Sequence, residues 1–135
     1  MRWIRQAALT GMLAFAAACP SGDSTGNNGN GPSYPNNPGG TPVLSASVSV
    51  YDNYYSPASV NLSAGGTVTW NWIGEEGHSV TPAPGTTFSP VAGVSFPPKS
   101  LVVTFGSAGA YQFYCTVHGT DAYGQGAMTG SVFVQ

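Results

Sequence analysis

Tyr111-Gln112-Phe113-Tyr114-Cys115-Thr116-Val117-His118 is the stretch on which the reading of this chain turns, with Met128-Thr129-Gly130 following after a polar loop. Strict alternation along a strand sends Tyr111, Phe113 and Cys115 to one face and Gln112 and Tyr114 to the other. The sulfur of Cys115 therefore points where the aromatic rings point, into a core.

Working outward, strand signals recur at short intervals. Leu44, Ala46, Val48 and Val50 alternate with Ser45, Ser47 and Ser49, the period of a half-buried strand. Ser59-Val60-Asn61-Leu62 is a shorter piece, after which Ala64-Gly65-Gly66 is expected to turn the chain. Val68, Trp70 and Trp72 then alternate with Thr67, Thr69 and Asn71 and present a large aromatic face. A strand is expected at His78-Ser79-Val80-Thr81-Pro82, then a Gly/Pro-rich middle over 83–98, then Leu101, Val103 and Phe105 in alternation. Gly106-Ser107-Ala108-Gly109 makes the turn into the Tyr111 strand, and residues 130–134 close the domain. No segment carries a helical period with caps. About seven or eight short strands separated by turns predict an all-β, Greek-key sandwich or barrel. An immunoglobulin-like sandwich shares this periodicity, but its Cys…Trp…Cys pairing is absent, because residues 43–135 hold one cysteine.

The chain of 135 residues has 19 Gly and 11 Pro, is 12% aromatic and only 6% charged, which allows one small domain plus appendages. A formal net charge of -2 leaves no electrostatic footprint for a nucleic-acid partner. Residues 1–18 start with Arg2 and Arg5, continue as a short apolar run and end in Ala16-Ala17-Ala18, the form of a secretory signal peptide. Small residues directly ahead of Cys19 are similar to a bacterial lipobox, in which Cys19 would be lipidated and become the mature N-terminus. An ordinary cleaved signal is the alternative. Residues 19–42, rich in Gly, Pro and Asn, are expected to form a disordered linker with a reach of roughly 25–30 Å. The domain is then 43–135.

A lone thiol in an exported domain is exposed to oxidation, so something should occupy or protect it. Soft sulfur ligands together with imidazole select copper, iron–sulfur or zinc, and two His, one Cys and a weak axial Met are the set found in blue-copper electron-transfer sites. At these residues the chain resembles the cupredoxins, in particular the small plastocyanin/azurin-like proteins of bacteria. Their pattern is an upstream His followed by a small polar residue, then aromatic-x-Cys-x-x-His, then Met-x-Gly leading into a last strand. The resemblance covers roughly the last two thirds of the chain. It implies His78, Cys115, His118 and Met128 as ligands of one copper ion cycling between Cu(II) and Cu(I). Both histidines of the chain fall where that constellation requires them. The chain departs from the family in the longer loop 119–127, which leaves Gln125 as an alternative axial ligand to Met128. The resemblance further implies that Ser79 ties its loop to the cysteine segment through Thr116. A backbone N–H near Ser79 is expected on the Cys115 sulfur, and His118 is expected to be the exposed ligand.

The function expected is a one-electron carrier with a mononuclear type 1 copper site, lipid-anchored through Cys19 on the periplasmic or extracellular face of a bacterial membrane. Its partners would be redox proteins at or near that membrane, and a monomer is expected. The alternative is a copper storage or delivery module without redox turnover. Copper enzymes such as oxidases and nitrite reductases need further histidine-rich sites, which a chain with 2 His does not supply.

Overall fold

A computed structural model describes residues 34–118 and 128–135; the expected signal peptide, Cys19, most of the expected linker, the loop 119–127 and Gln125 lie outside the described residues. Eight strands follow one another: β1 (Val43–Tyr51), β2 (Tyr54–Ser56), β3 (Ser59–Trp72), β4 (His78–Pro82), β5 (Ala92–Ser95), β6 (Ser100–Phe105), β7 (Gly109–Tyr114) and β8 (Thr129–Val134). Among the described residues there is no helix. The all-β expectation holds, at the strand count expected.

Hydrogen bonding runs in the order β2-β1-β3-β8-β7-β4-β5, with β6 added on β3. The long β3 belongs to both layers of the sandwich. Its first part pairs in parallel with β8, from Ser59↔Ser131 to Leu62↔Val134, and its second part pairs antiparallel with β6, from Gly66↔Phe105 to Asn71↔Ser100. The changeover lies at Gly65 and Gly66, which corrects the expectation of a turn there. Gly65 adopts φ +83°, and a side chain on Gly66 would meet the Leu62 side chain and the backbone oxygens of Ser63 and Leu44. The residue type that opens a turn also permits a sharp bend inside a strand, and β1 records it as a register break between Val43 and Ser45. The Gly/Pro-rich middle contains β5, and β2 is a strand that no periodicity announced.

The alternation seen in the sequence becomes burial. In β6, Leu101, Val103 and Phe105 face inward while Ser100, Val102 and Thr104 face out. Val48 and Val50 of β1, Val68, Trp70 and Trp72 of β3, Phe113 of β7 and Val132 of β8 complete one continuous core. Trp70 is its centre, with Phe113 edge-on at 5.3 Å, Phe88 parallel at 6.1 Å and Phe105 tilted at 6.4 Å between ring centroids. Each such large apolar side chain contributes about 1.5–3 kcal/mol by leaving water. Of the expected linker, residues 34–42 are described: Tyr34 and Pro35 are half-buried, and the Gly40 carbonyl accepts from Asn61 Nδ2 at 2.9 Å.

Candidate metal centre

Four chain segments meet at one end of the sandwich. β4 and β7 pair antiparallel through Thr81↔Tyr114 and Pro82↔Phe113, which brings His78, at the start of β4, beside Cys115, just past the end of β7. The chain turns over Thr116-Val117-His118 and returns the imidazole toward the sulfur. Met128 clamps this turn with its backbone: its carbonyl accepts from the Cys115 N–H and its own N–H donates to the His118 carbonyl, both at 3.0 Å. The structure thus brings His78, Cys115 and His118 together, and Met128 is buried with its backbone joined to Cys115 and His118.

Three donor atoms face one another. Cys115 Sγ lies 3.8 Å from His78 Nδ1 and 3.9 Å from His118 Nδ1, and the two Nδ1 atoms are 3.1 Å apart. The point equidistant from these three corners lies about 2.1 Å from each, the length of a metal–imidazole bond and just short of a metal–thiolate bond of about 2.3 Å. A soft, two-nitrogen, one-sulfur set with this spacing fits a single metal ion. The chemistry of the donors and their separation agree.

The surroundings hold these atoms in place. The Ser79 N–H donates to the Cys115 sulfur at 3.4 Å, as the sequence led one to expect. Ser79 Oγ accepts from the Thr116 N–H at 2.8 Å and lies 3.0 Å from Thr116 Oγ1, so the two loops are tied as anticipated. Two further anchors had no sequence signal. Tyr55 donates its hydroxyl to the Ser79 carbonyl at 2.5 Å, and the Trp72 indole N–H donates to the His78 carbonyl at 3.0 Å. Burial, and then the neighbouring Cys115 sulfur, push the Tyr55 phenol far above its ordinary range, so it stays a donor.

The imidazoles differ in exposure. The His78 side chain is 0% exposed and that of His118 26%, so His118 is the one that reaches the surface, as expected. On its far side His78 Nε2 lies 3.1 Å from Asp52 Oδ1. Asp52 also accepts the backbone N–H groups of Glu75 and Glu76, and the Glu76 bond, then His78, then the Glu75 bond hold its carboxyl below the usual carboxylate range. Glu76 Oε2 stands 3.7 Å from His118 Nε2. Nothing in the sequence distinguishes Asp52, Glu75 and Glu76 from ordinary solvated surface charge. The only hint against that was the Asp52-Asn53 pair at a strand end, with Asn53 at φ 71°, a conformation Asn tolerates.

No protein-family model matches the chain, and no curated relative does. Solved structures do. A reduced Cu(I) form of an amicyanin variant superposes with a TM-score of 0.56 at 24% identity, over 70% of this chain and 86% of that one. An oxidised amicyanin variant superposes with a TM-score of 0.55 at 23% identity, over 67% of this chain and 81% of that one. A purple cupredoxin from Nitrosopumilus maritimus gives 0.54 at 18% identity, over 67% of this chain and 99% of the other. The fold is that of the cupredoxins.

Within the cupredoxin fold the donor triangle owes its rigidity to β structure on two sides. His78 and Cys115 are at strand ends, and His118 is held by a carbonyl bonded to the residue that leads into β8. Among the described residues His78, Cys115 and His118 form one close group of potential ligands, and Asp52, Glu76 and His78 form another that shares the His78 ring.

Proposed function

We propose that this cupredoxin-fold protein is a one-electron carrier in which His78, Cys115 and His118 would hold a single copper ion and Met128 would add a weak thioether ligand. One observation carries the reading: a buried thiol and the two imidazoles of the chain converge with separations of 3.1, 3.8 and 3.9 Å around one point. Zinc in structural sites favours four strong tetrahedral ligands, whereas two His and one Cys in a trigonal set with a distant thioether favour copper. When bound, copper supplies a one-electron couple between Cu(II) and Cu(I).

The residues of the chain account for the rest. Cys115 and His78 are fully buried, so water is kept from the donors. The Ser79 N–H withdraws charge from the sulfur, and Tyr55 and Trp72 pin the carbonyls on either side, so the donors shift little between oxidation states. His118, partly exposed, is the edge through which electrons leave, and exposed Val117 next to it, with Val94 and Phe96 beside the His78 strand, gives a redox partner an apolar surface. Ala16-Ala17-Ala18-Cys19 supports export and lipid anchoring outside a bacterial membrane, near membrane-bound partners.

The test is a visible absorption spectrum of the copper-loaded, oxidised protein. An intense sulfur-to-copper band that bleaches on reduction, returns on reoxidation and is missing in Cys115→Ser is expected. A colourless chain that retains only Cu(I) would replace the carrier with a storage or delivery module, and a chain that takes no copper would overturn both.

A further inference from the structure

We propose that Asp52 is a positioning residue of the centre: its carboxylate keeps the His78 proton on Nε2, aims the Nδ1 lone pair at the metal position, and favours the oxidised metal through its charge. The inference rests on the copper reading given above and concerns a residue that reading does not use. Asp52 lies in the turn just after β1, whereas His78 opens β4, and the two stand 26 residues apart in sequence. Across that gap Asp52 Oδ1 and His78 Nε2 are separated by 3.1 Å. An ionised carboxylate only accepts, so the proton between them belongs to His78, and a neutral ring with its proton on Nε2 presents a bare Nδ1. That Nδ1 is the atom 3.8 Å from Cys115 Sγ and 3.1 Å from His118 Nδ1.

The carboxylate is itself fixed. It accepts the Glu75 N–H at 3.0 Å and the Glu76 N–H at 2.9 Å, and a side chain at Gly74 would fall on it. The Trp72 indole N–H holds the backbone carbonyl of His78. His118 has no comparable orienting partner among the described residues: Glu76 is 3.7 Å from its Nε2 and well exposed, too far for a hydrogen bond. One imidazole is locked and the other is left adjustable. A buried ring backed by a carboxylate is also the better donor to a metal, and removing such a partner generally weakens metal affinity by about 10–100-fold.

The full chain, copper-loaded, tests this in two ways. In the reduced, diamagnetic form, ring-nitrogen NMR of the unmodified protein should show a slowly exchanging proton on His78 Nε2; a freely exchanging one would overturn the proposal without any mutation. Asp52→Asn keeps an acceptor oxygen for the two loop N–H groups but removes the charge, and should shift the Cu(I)-over-Cu(II) affinity ratio about tenfold toward Cu(I), a rise of about 59 mV for a one-electron couple. Asp52→Ala should in addition speed copper loss, while Asp52→Glu should restore part of the ratio. An Asp52→Asn protein with an unmoved potential beside a blue wild type would make Asp52 a loop cap and nothing more. A wild type without the blue band would instead bring down the carrier reading, and this inference with it.

Discussion

At the scale of single residues, Tyr55 and Met128 make separable predictions. Tyr55 bonds the carbonyl of Ser79, the residue whose N–H meets the Cys115 sulfur, so its hydroxyl acts on the centre through one peptide unit. Tyr55→Phe should lower unfolding stability by about 0.5–1.5 kcal/mol, read as a lower denaturant midpoint at unchanged slope. The same phenol ties stability to pH. Its folded pKa is raised, so the folded chain keeps a proton that the unfolded chain gives up above about 10. The stability it contributes is intact below that pH and drains away as the pH climbs beyond it. Tyr55→Phe should therefore show a shallower alkaline decline than wild type in denaturant titrations run at successive pH values. If Met128 is the proposed thioether ligand, Met128→Leu removes a soft donor that helps Cu(II) more than an apolar side chain does, so the potential should rise and the visible band should move. If voltammetry and the spectrum both stay put, Met128 is core filler.

At the scale of elements, β8 and β7 are packed more tightly than their lengths suggest. Gly130 faces Phe113 across the Phe113↔Gly130 pair, and any β-carbon there would fall into the Phe113 ring. Phe113 is in turn edge-on to both Tyr55 and Trp70, and is two residues from Cys115. Gly130→Ala should therefore cost about 1–3 kcal/mol through overpacking, seen in thermal unfolding, and should displace the strand end that carries the thiol. The prediction at this scale is joint: destabilisation accompanied by an altered sulfur-to-copper band. Destabilisation with an unchanged band would show that Cys115 is held by the Met128 and Ser79 hydrogen bonds alone.

At the scale of the molecule, β3 joins the two layers and the metal end ties together segments distant in sequence. His78, the Cys115–His118 stretch and Met128 are three separate places on the chain, and the unfolded chain does not hold them together. Copper bound only by the folded state stabilises it by mass action, about 4 kcal/mol at a free concentration a thousand times the dissociation constant. Adding a copper chelator should lower the unfolding temperature of the wild type, and should leave that of Cys115→Ser where it is. Equal shifts in both would mean that the chelator acts elsewhere than at this centre.

What the sequence determined by itself is what local pattern encodes. Alternation in Val48-Ser49-Val50, Val68 to Trp72 and Leu101 to Phe105 marked the inward faces, because a strand sends successive side chains to opposite sides. The chemistry of one thiol, two imidazoles and a thioether marked the candidate ligand set, and the short spacing from Cys115 to His118 required a turn that the chain makes. Only the tertiary structure decided the rest. The bend at Gly65-Gly66 that lets β3 serve two layers reads locally like a turn, since the same backbone freedom permits both. Asp52 behind His78 and Tyr55 behind Ser79 arise from contacts 26 and 24 residues apart, and no period or spacing in a chain announces a meeting of that kind. Such contacts are set by how strands stack, and stacking depends on the whole core at once rather than on any stretch of it.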